Sequence, residues 1–304
     1  MAVDIGIFLP NNGNELPDIR DSARHAEAVG LDSLWSGDHL ANHDRPSLDA
    51  TLALATAAAV TERVQVGFSV FLPALRPHAW AAKQIATLQH LTGGDRFHLG
   101  IGVGGGYDAE WLAAGVPVAE RGRRTDEFLR VLPALLAGEP TAIPGLPGEP
   151  EIALRPAVKA PPIWIGGFAP AALSRTIRHA DGWFGALQTP DEFRATGARL
   201  AELAATWGRP APRMATVLHC ALVSRSAPAP DLHESYSDAL AASYGMSPED
   251  ARRRTVTGTP EQVAERAAEF LSAGAEKLAF HLGGPTGWRE SAELLAEVRA
   301  ELVR

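Results

Sequence analysis

The chain has 304 residues, 46% of them hydrophobic, and its 28 basic and 36 acidic residues leave a net charge of −8. That balance argues against a nucleic-acid partner, which needs a concentrated basic face, and a single cysteine, Cys220, excludes an intrachain disulfide and fits a reducing compartment. The first ten residues carry Asp4 and no basic run, unlike a signal peptide, and no apolar run is long enough to span a membrane, so a soluble cytoplasmic protein is expected.

Short apolar runs alternate with helix-periodic segments from end to end. The first strand is expected over residues 3–9. The helix after it carries Leu16, Ile19, Ala23 and Ala26 at helical spacing and stops at Gly30. Further strands are expected over 32–38, 64–70, 97–103, 162–167, 182–187, 214–223 and 277–282. Thr189-Pro-Asp-Glu192 and Thr259-Pro-Glu-Gln262 each read as an N-cap, a proline at the first helical position and a capping-box acid or amide. Eight β-then-α units predict a parallel sheet closed into a single (β/α)8 TIM barrel of the α/β class, with an open doubly wound sheet as the alternative. Two segments break the rhythm. Residues 138–161 hold six prolines and three glycines and read as an irregular connection. Residues 224–257 form an insertion after the seventh strand, which a barrel would place over its C-terminal mouth as a mobile lid.

The strand ends carry the chemistry. On the fourth strand Phe97, Leu99, Ile101 and Val103 share one face, and His98, Gly100, Gly102 and Gly104 share the other. Barrel interiors are normally filled by bulky side chains. A glycine column there either leaves space for a flat ring or relieves crowding at a bulge. The run Gly102–Gly106 lacks the spacing of a dinucleotide fingerprint. The fifth strand ends in Gly166-Gly167 just before a helix, where free amides and a partial positive charge suit a phosphate; a tight turn is the plainer reading. The second strand ends Trp35-Ser-Gly-Asp-His39. A histidine there can give or take a proton near neutral pH, and Asp38 could set its tautomer. Nearby His43 is expected to be solvated. On the third strand Ser69 faces the mouth. No histidines pair with acids at metal-ligand spacing, no Gly-x-Ser-x-Gly elbow is present, and Cys220 reads as a small core residue.

Taken in order, several segments resemble the luciferase-like flavin-dependent oxidoreductases, a family that includes deazaflavin enzymes. They are Asp4-Ile-Gly-Ile-Phe-Leu-Pro10, the Ala-Glu-Ala-Val-Gly-Leu-Asp-Ser-Leu-Trp stretch ending at Trp35, Gly37-Asp-His39, and Leu91-Thr-Gly-Gly-Asp-Arg-Phe-His-Leu-Gly-Ile-Gly-Val-Gly104. After these come Glu120-Arg-Gly-Arg-Arg-Thr-Asp-Glu127, Pro161-Pro-Ile-Trp-Ile-Gly-Gly167, Ala180-Asp-Gly-Trp-Phe184 and Gly258-Thr-Pro-Glu-Gln262. The resemblance implies a cofactor ring over the barrel mouth, approached by Phe8, Asp38, His39, Ser69, Val70 and the turn holding Gly102, Gly104 and Gly105. It implies a phosphate near Gly166, Gly167 and Leu187, and a cis peptide at Ser69–Val70 within a bulge of the third strand. One departure is that Gly104-Gly-Gly-Tyr107 lacks the acid that some deazaflavin sugar dehydrogenases carry just after the fourth strand.

The activity implied is oxidoreduction of a small organic molecule. With the deazaflavin coenzyme F-420 (F420) the reaction is hydride transfer, with His39 moving the proton; with reduced FMN it is a monooxygenation. A non-catalytic cofactor-binding subunit and a metal-dependent hydrolase are the rival readings. The resemblance also implies a homodimer through the first helices and a separate reductase that supplies reduced cofactor. His281, at the end of the eighth strand, is the next proton-transfer candidate.

Overall fold

A computed structural model describes residues 3–11, 16–42, 45–227 and 229–303. His43 therefore lies outside the described residues. The barrel is built from β1 (Asp4–Phe8), β2 (Ser33–Ser36), β3 (Gln65–Phe71) and β4 (Phe97–Ile101), with α1 (Ile19–Ala28), α2 (Ala50–Ala59) and α3 (His78–Leu91) between them. After β4 come α4 (Asp108–Ala113), α5 (Arg121–Leu136) and a two-residue hairpin of β5 (Thr141–Ala142) and β6 (Glu151–Ile152). The second half runs through β7 (Ile163–Gly166), α6 (Pro170–His179), β8 (Gly182–Ala186), α7 (Pro190–Thr206) and β9 (Arg213–Leu222). Next are α8 (Leu232–Tyr244), α9 (Pro248–Arg254), β10 (Thr255–Gly258), α10 (Pro260–Ser272), β11 (Lys277–Leu282) and α11 (Trp288–Leu302).

All eight expected strands are present. They pair in parallel in the order β1-β2-β3-β4-β7-β8-β9-β11, and β11 returns to β1, so the sheet closes as a (β/α)8 barrel. The insertion after the seventh barrel strand is more regular than its proline-rich start indicates. Residues 224–257 contain α8, α9 and most of β10, a ninth strand that continues the sheet on the C-terminal half of β9, from Thr255↔His219 to Gly258↔Leu222. Ser237 of α8 and Thr255 of β10 share a buried hydroxyl contact of 2.8 Å.

Alternation along each strand sends one face to the helices and one inward. The inward face is filled by a few large rings set against glycines. A Cβ on Gly6 or Gly67 would meet Trp35, and one on Gly182 would land on Trp164. Trp35 and Phe184 meet edge to face at 5.0 Å in a cluster with Phe8, Trp164, Ala215, Val217 and Ala279. Below it, buried Lys277 lies 2.6 Å from Asp4 and 2.8 Å from Gln65, while Ser33 donates to Asp4 and Trp35 to Ser33. Each buried charge at the base thus has a partner, which offsets much of the cost of removing it from water. His98 takes the Trp164 indole N–H at 3.1 Å; burial, aided by Lys277 and Arg213, pushes its imidazole down to about 3, so it stays neutral.

Candidate active site

The mouth is formed by the C-terminal strand ends, where barrel enzymes keep their reacting groups. β3 departs from regular geometry there. Its register against β4 shifts between Phe68 and Phe71, and the Ser69–Val70 peptide is cis. The bulge fills the glycine column of β4. A Cβ on Gly100 would strike the Phe68 carbonyl, one on Gly102 the Val70 side chain, and one on Gly104 would sit 2.7 Å from Trp111. Gly166 across the barrel also faces Val70, at 2.9 Å from its would-be Cβ. Of the two readings of this glycine column, space for a ring or relief at a bulge, the second holds here: Gly100, Gly102 and Gly104 admit the bulge, its side chains and Trp111. Gly105 differs, with nothing within 4 Å of a would-be Cβ, so its surface remains accessible.

β2 ends at Ser36, two residues before Asp38. The Asp38 carboxylate is buried and takes Arg76 through two contacts of 2.8 and 3.0 Å, plus the Leu72 N–H at 2.9 Å. Its own N–H donates to the Val70 carbonyl at 3.2 Å. Asp38 thus ties the end of β2 to both sides of the bulge, and its recorded partners do not include His39. The carboxylate beside His39 is Glu110, from the first turn of α4. Its Oε1 lies 3.4 Å from His39 Nδ1, and its Oε2 accepts the Leu40 N–H at 3.2 Å and the Ala41 N–H at 3.5 Å. The Glu110 side chain is 0% exposed and that of His39 36%. A half-open imidazole on a buried carboxylate is an arrangement suited to proton transfer. The sequence reading missed Glu110. It looked for an acid directly after the glycine turn, whereas one stands a helical turn later.

On the opposite side, Gly167 has φ 101°, and its carbonyl accepts the Trp183 indole N–H at 2.8 Å. α6 starts at Pro170 with no side-chain cap and no acid in its first turn, so its N-terminal amides and partial positive charge face no local anion. Leu187, just beyond β8, is left-handed at φ 54°, and Arg254 donates to its carbonyl at 2.9 Å while pairing with Glu192 and Asp250 at 2.7 Å each. The insertion is thereby fastened to the end of β8.

The third side of the mouth is aromatic. Phe8 and His281 meet at 5.0 Å, His281 and His219 at 5.1 Å, and His219 and Tyr244 of α8 at 5.2 Å. Burial pushes His281 down to about 4 and drives His219 well below the ordinary histidine range, so both are neutral at pH 7. Burial also raises the Cys220 thiol and the Tyr236 phenol, and keeps both protonated. Among the described residues, no group of three or more His, Cys, Asp or Glu is placed to hold a metal ion, and no helix is long and apolar enough to cross a membrane.

Comparison with known proteins agrees with this architecture. The model of the family described as luciferase-like monooxygenase matches residues 3–277. An uncharacterized protein of Mycobacterium tuberculosis is 34% identical over 211 residues, covering 62% of this chain and 72% of its own length. The F420-dependent glucose-6-phosphate dehydrogenase of Beutenbergia cavernae is 35% identical over 168 residues, covering 52% of this chain and 49% of that one. An F420-dependent secondary alcohol dehydrogenase, solved with an F420-acetone adduct, has the same fold with a TM-score of 0.83 at 18% identity, covering 99% of both chains. The oxygenating constituent of 3,6-diketocamphane monooxygenase from Pseudomonas putida, solved with FMN, superposes with a TM-score of 0.74 at 18% identity, covering 100% of this chain and 98% of that one. With a closed parallel barrel and a family match spanning most of its length, the chain belongs to the luciferase-like monooxygenase family.

Proposed function

We propose that the protein is an oxidoreductase that uses F420 to transfer a hydride to or from a small organic substrate at the barrel mouth, with His39 giving or taking the accompanying proton. The observation that carries this reading is the half-exposed His39 imidazole on the buried Glu110 carboxylate, beside the Ser69–Val70 bulge. The F420-dependent enzyme among its relatives supports that cofactor. The residues fit such a group. Gly105 leaves open surface for a ring, and Gly167 lies against the start of α6, which has no side-chain cap; a phosphate would sit at its positive end, bordered by Gly166 and Leu187. Phe8, Ser69, Val70, Gly102 and Gly104 would border the ring. When bound, F420 supplies the hydride chemistry; the chain positions the substrate and handles the proton. Asp38, first read as a possible partner for the imidazole, is assigned here to holding the bulge, because Arg76 and the Leu72 N–H occupy its carboxylate.

The second reading is a monooxygenase using reduced FMN. Its support is the description of the family and the fold shared with the Pseudomonas putida enzyme. Calorimetric titration of the purified protein with F420 and with FMN separates the two. F420 should bind at least about tenfold more tightly, a difference of about 1.4 kcal/mol; tight FMN binding with none of F420 would overturn the proposal. Gly167→Asp tests the phosphate position. Because φ 101° strains any side chain here, Gly167→Ala is the reference; relative to it, a carboxylate about 4 Å from a phosphate should weaken cofactor binding about 100-fold or more, and equal affinity of the two variants would move the phosphate elsewhere.

Two further assignments belong to this reading. Leu52 of α2 and Trp80 of α3 are 69% and 67% exposed, and Leu48 and Leu91 are exposed as well. Exposed apolar side chains on the first helices support a homodimer through them. Reduced cofactor would come from a separate reductase in the cytoplasm.

A further inference from the structure

We infer that Glu110 is the positioning residue of the site, holding His39 as the Nδ1–H tautomer and leaving Nε2 as the atom that exchanges the proton. The tautomer follows from geometry; the proton exchange rests on the redox reading above. Glu110 is fully enclosed, yet its recorded hydrogen bonds come from two backbone amides and the His39 ring. An ionised carboxylate removed from water needs donors or a cation. Among the described residues, His39 is the one titratable base within ion-pairing distance of it. The carboxylate next to His39 in sequence, Asp38, is paired with Arg76.

The backbone holds Glu110 in place from both directions. The adjoining Trp111 is buried in a cluster with Leu72, Ala74, Leu75 and Val116, so α4 cannot shift without disturbing the segment after the bulge. Leu72 is also the residue whose N–H binds Asp38. The two acids therefore divide the work: Asp38 fixes the bulge through Leu72, and Glu110 fixes the loop at Leu40 and Ala41 together with the imidazole. The 3.4 Å separation is long for a charge-assisted bond, as catalytic contacts commonly are before substrate binds.

The test needs neither cofactor nor substrate. Protein labelled with 15N-histidine is titrated by NMR, and the His39 signals are assigned by their loss in His39→Gln. The neutral wild-type ring should carry its proton on Nδ1. Glu110→Gln keeps an oxygen for the Leu40 and Ala41 amides and removes the charge. Its amide N–H then faces Nδ1, so the neutral form should shift toward Nε2–H. An Nε2–H ring in the wild type overturns the inference even if the variant does not fold, and so does an unchanged Nδ1–H tautomer in a folded Glu110→Gln. Turnover, once measured, separates the two readings. A switched tautomer with lower kcat at constant KM supports both. A switched tautomer with native turnover leaves the pairing in place and removes His39 from the chemistry.

Discussion

At the ends of β2 and β3 and on α4, acids hold the backbone: Asp38 binds Arg76 and the Leu72 N–H, and Glu110 binds the Leu40 and Ala41 amides. At the ends of β9 and β11 the titratable groups are rings, and burial keeps His219 and His281 uncharged. Both regions contain histidine at a barrel mouth, yet among His39, His219 and His281 it is His39 that has a carboxylate at its ring. Residue type and strand position alone do not separate His39 from His281. Surroundings do: the His39 ring sits on a carboxylate and is partly open, whereas His281 is set among rings, where burial keeps it neutral.

The largest expected effect breaks the first region. His39→Ala should lower kcat by about 100-fold to 10,000-fold, the scale of general acid–base catalysis, with cofactor affinity little changed. Steady-state kinetics beside a binding titration checks this; near-native kcat would shift the chemistry to His281. Next, Asp38→Ala leaves the mostly buried Arg76 without its partner and should cost about 3 kcal/mol of stability, read as a lower urea midpoint. A loss under about 1 kcal/mol would mean that the bulge holds itself.

The smallest effect concerns the neutral region. His281→Gln should change kcat by less than about threefold, since a ring depressed to about 4 is a weak base and its neutral N–H a very weak acid; a loss comparable to that of His39→Ala would refute the division. Stability should carry the signature instead. A histidine whose folded value is depressed to about 4 contributes stability that is full above its unfolded value, near 6.5, and is lost as the pH falls through about 4. Denaturation midpoints should therefore fall between about pH 6.5 and 4, and less steeply in His281→Gln. His98 and His219 add to the same trend.

The barrel strands were legible because alternation and glycine punctuation are local signals: each expected strand is present, with ends moved by two residues at most. The bulge at Ser69–Val70 was readable through resemblance. The partners of His39 and Asp38 were not, because those contacts join residues 71 and 38 positions apart and no periodicity encodes them. The glycines of β4 left two readings open because a sequence shows which side chains are missing, not what moves in; Val70 and the Phe68 carbonyl did. The regular structure of the insertion was hard to read because α8, with Ser, Asp and Glu scattered among its apolar residues, lacks a clear stripe. Its partner strand β10 forms only against the extended β9, a pairing across 36 residues.

Hydride transfer and oxygenation differ in their need for oxygen, and the most direct measurement uses that difference. The protein is given F420, oxidised or reduced, with a panel of alcohols, ketones, enones and imines, and the F420 absorbance is followed under nitrogen and under air. Turnover at the same rate in both atmospheres, lost in His39→Gln, is the expected result. Substrate conversion only with reduced FMN, accompanied by oxygen uptake and absent under nitrogen, would contradict it.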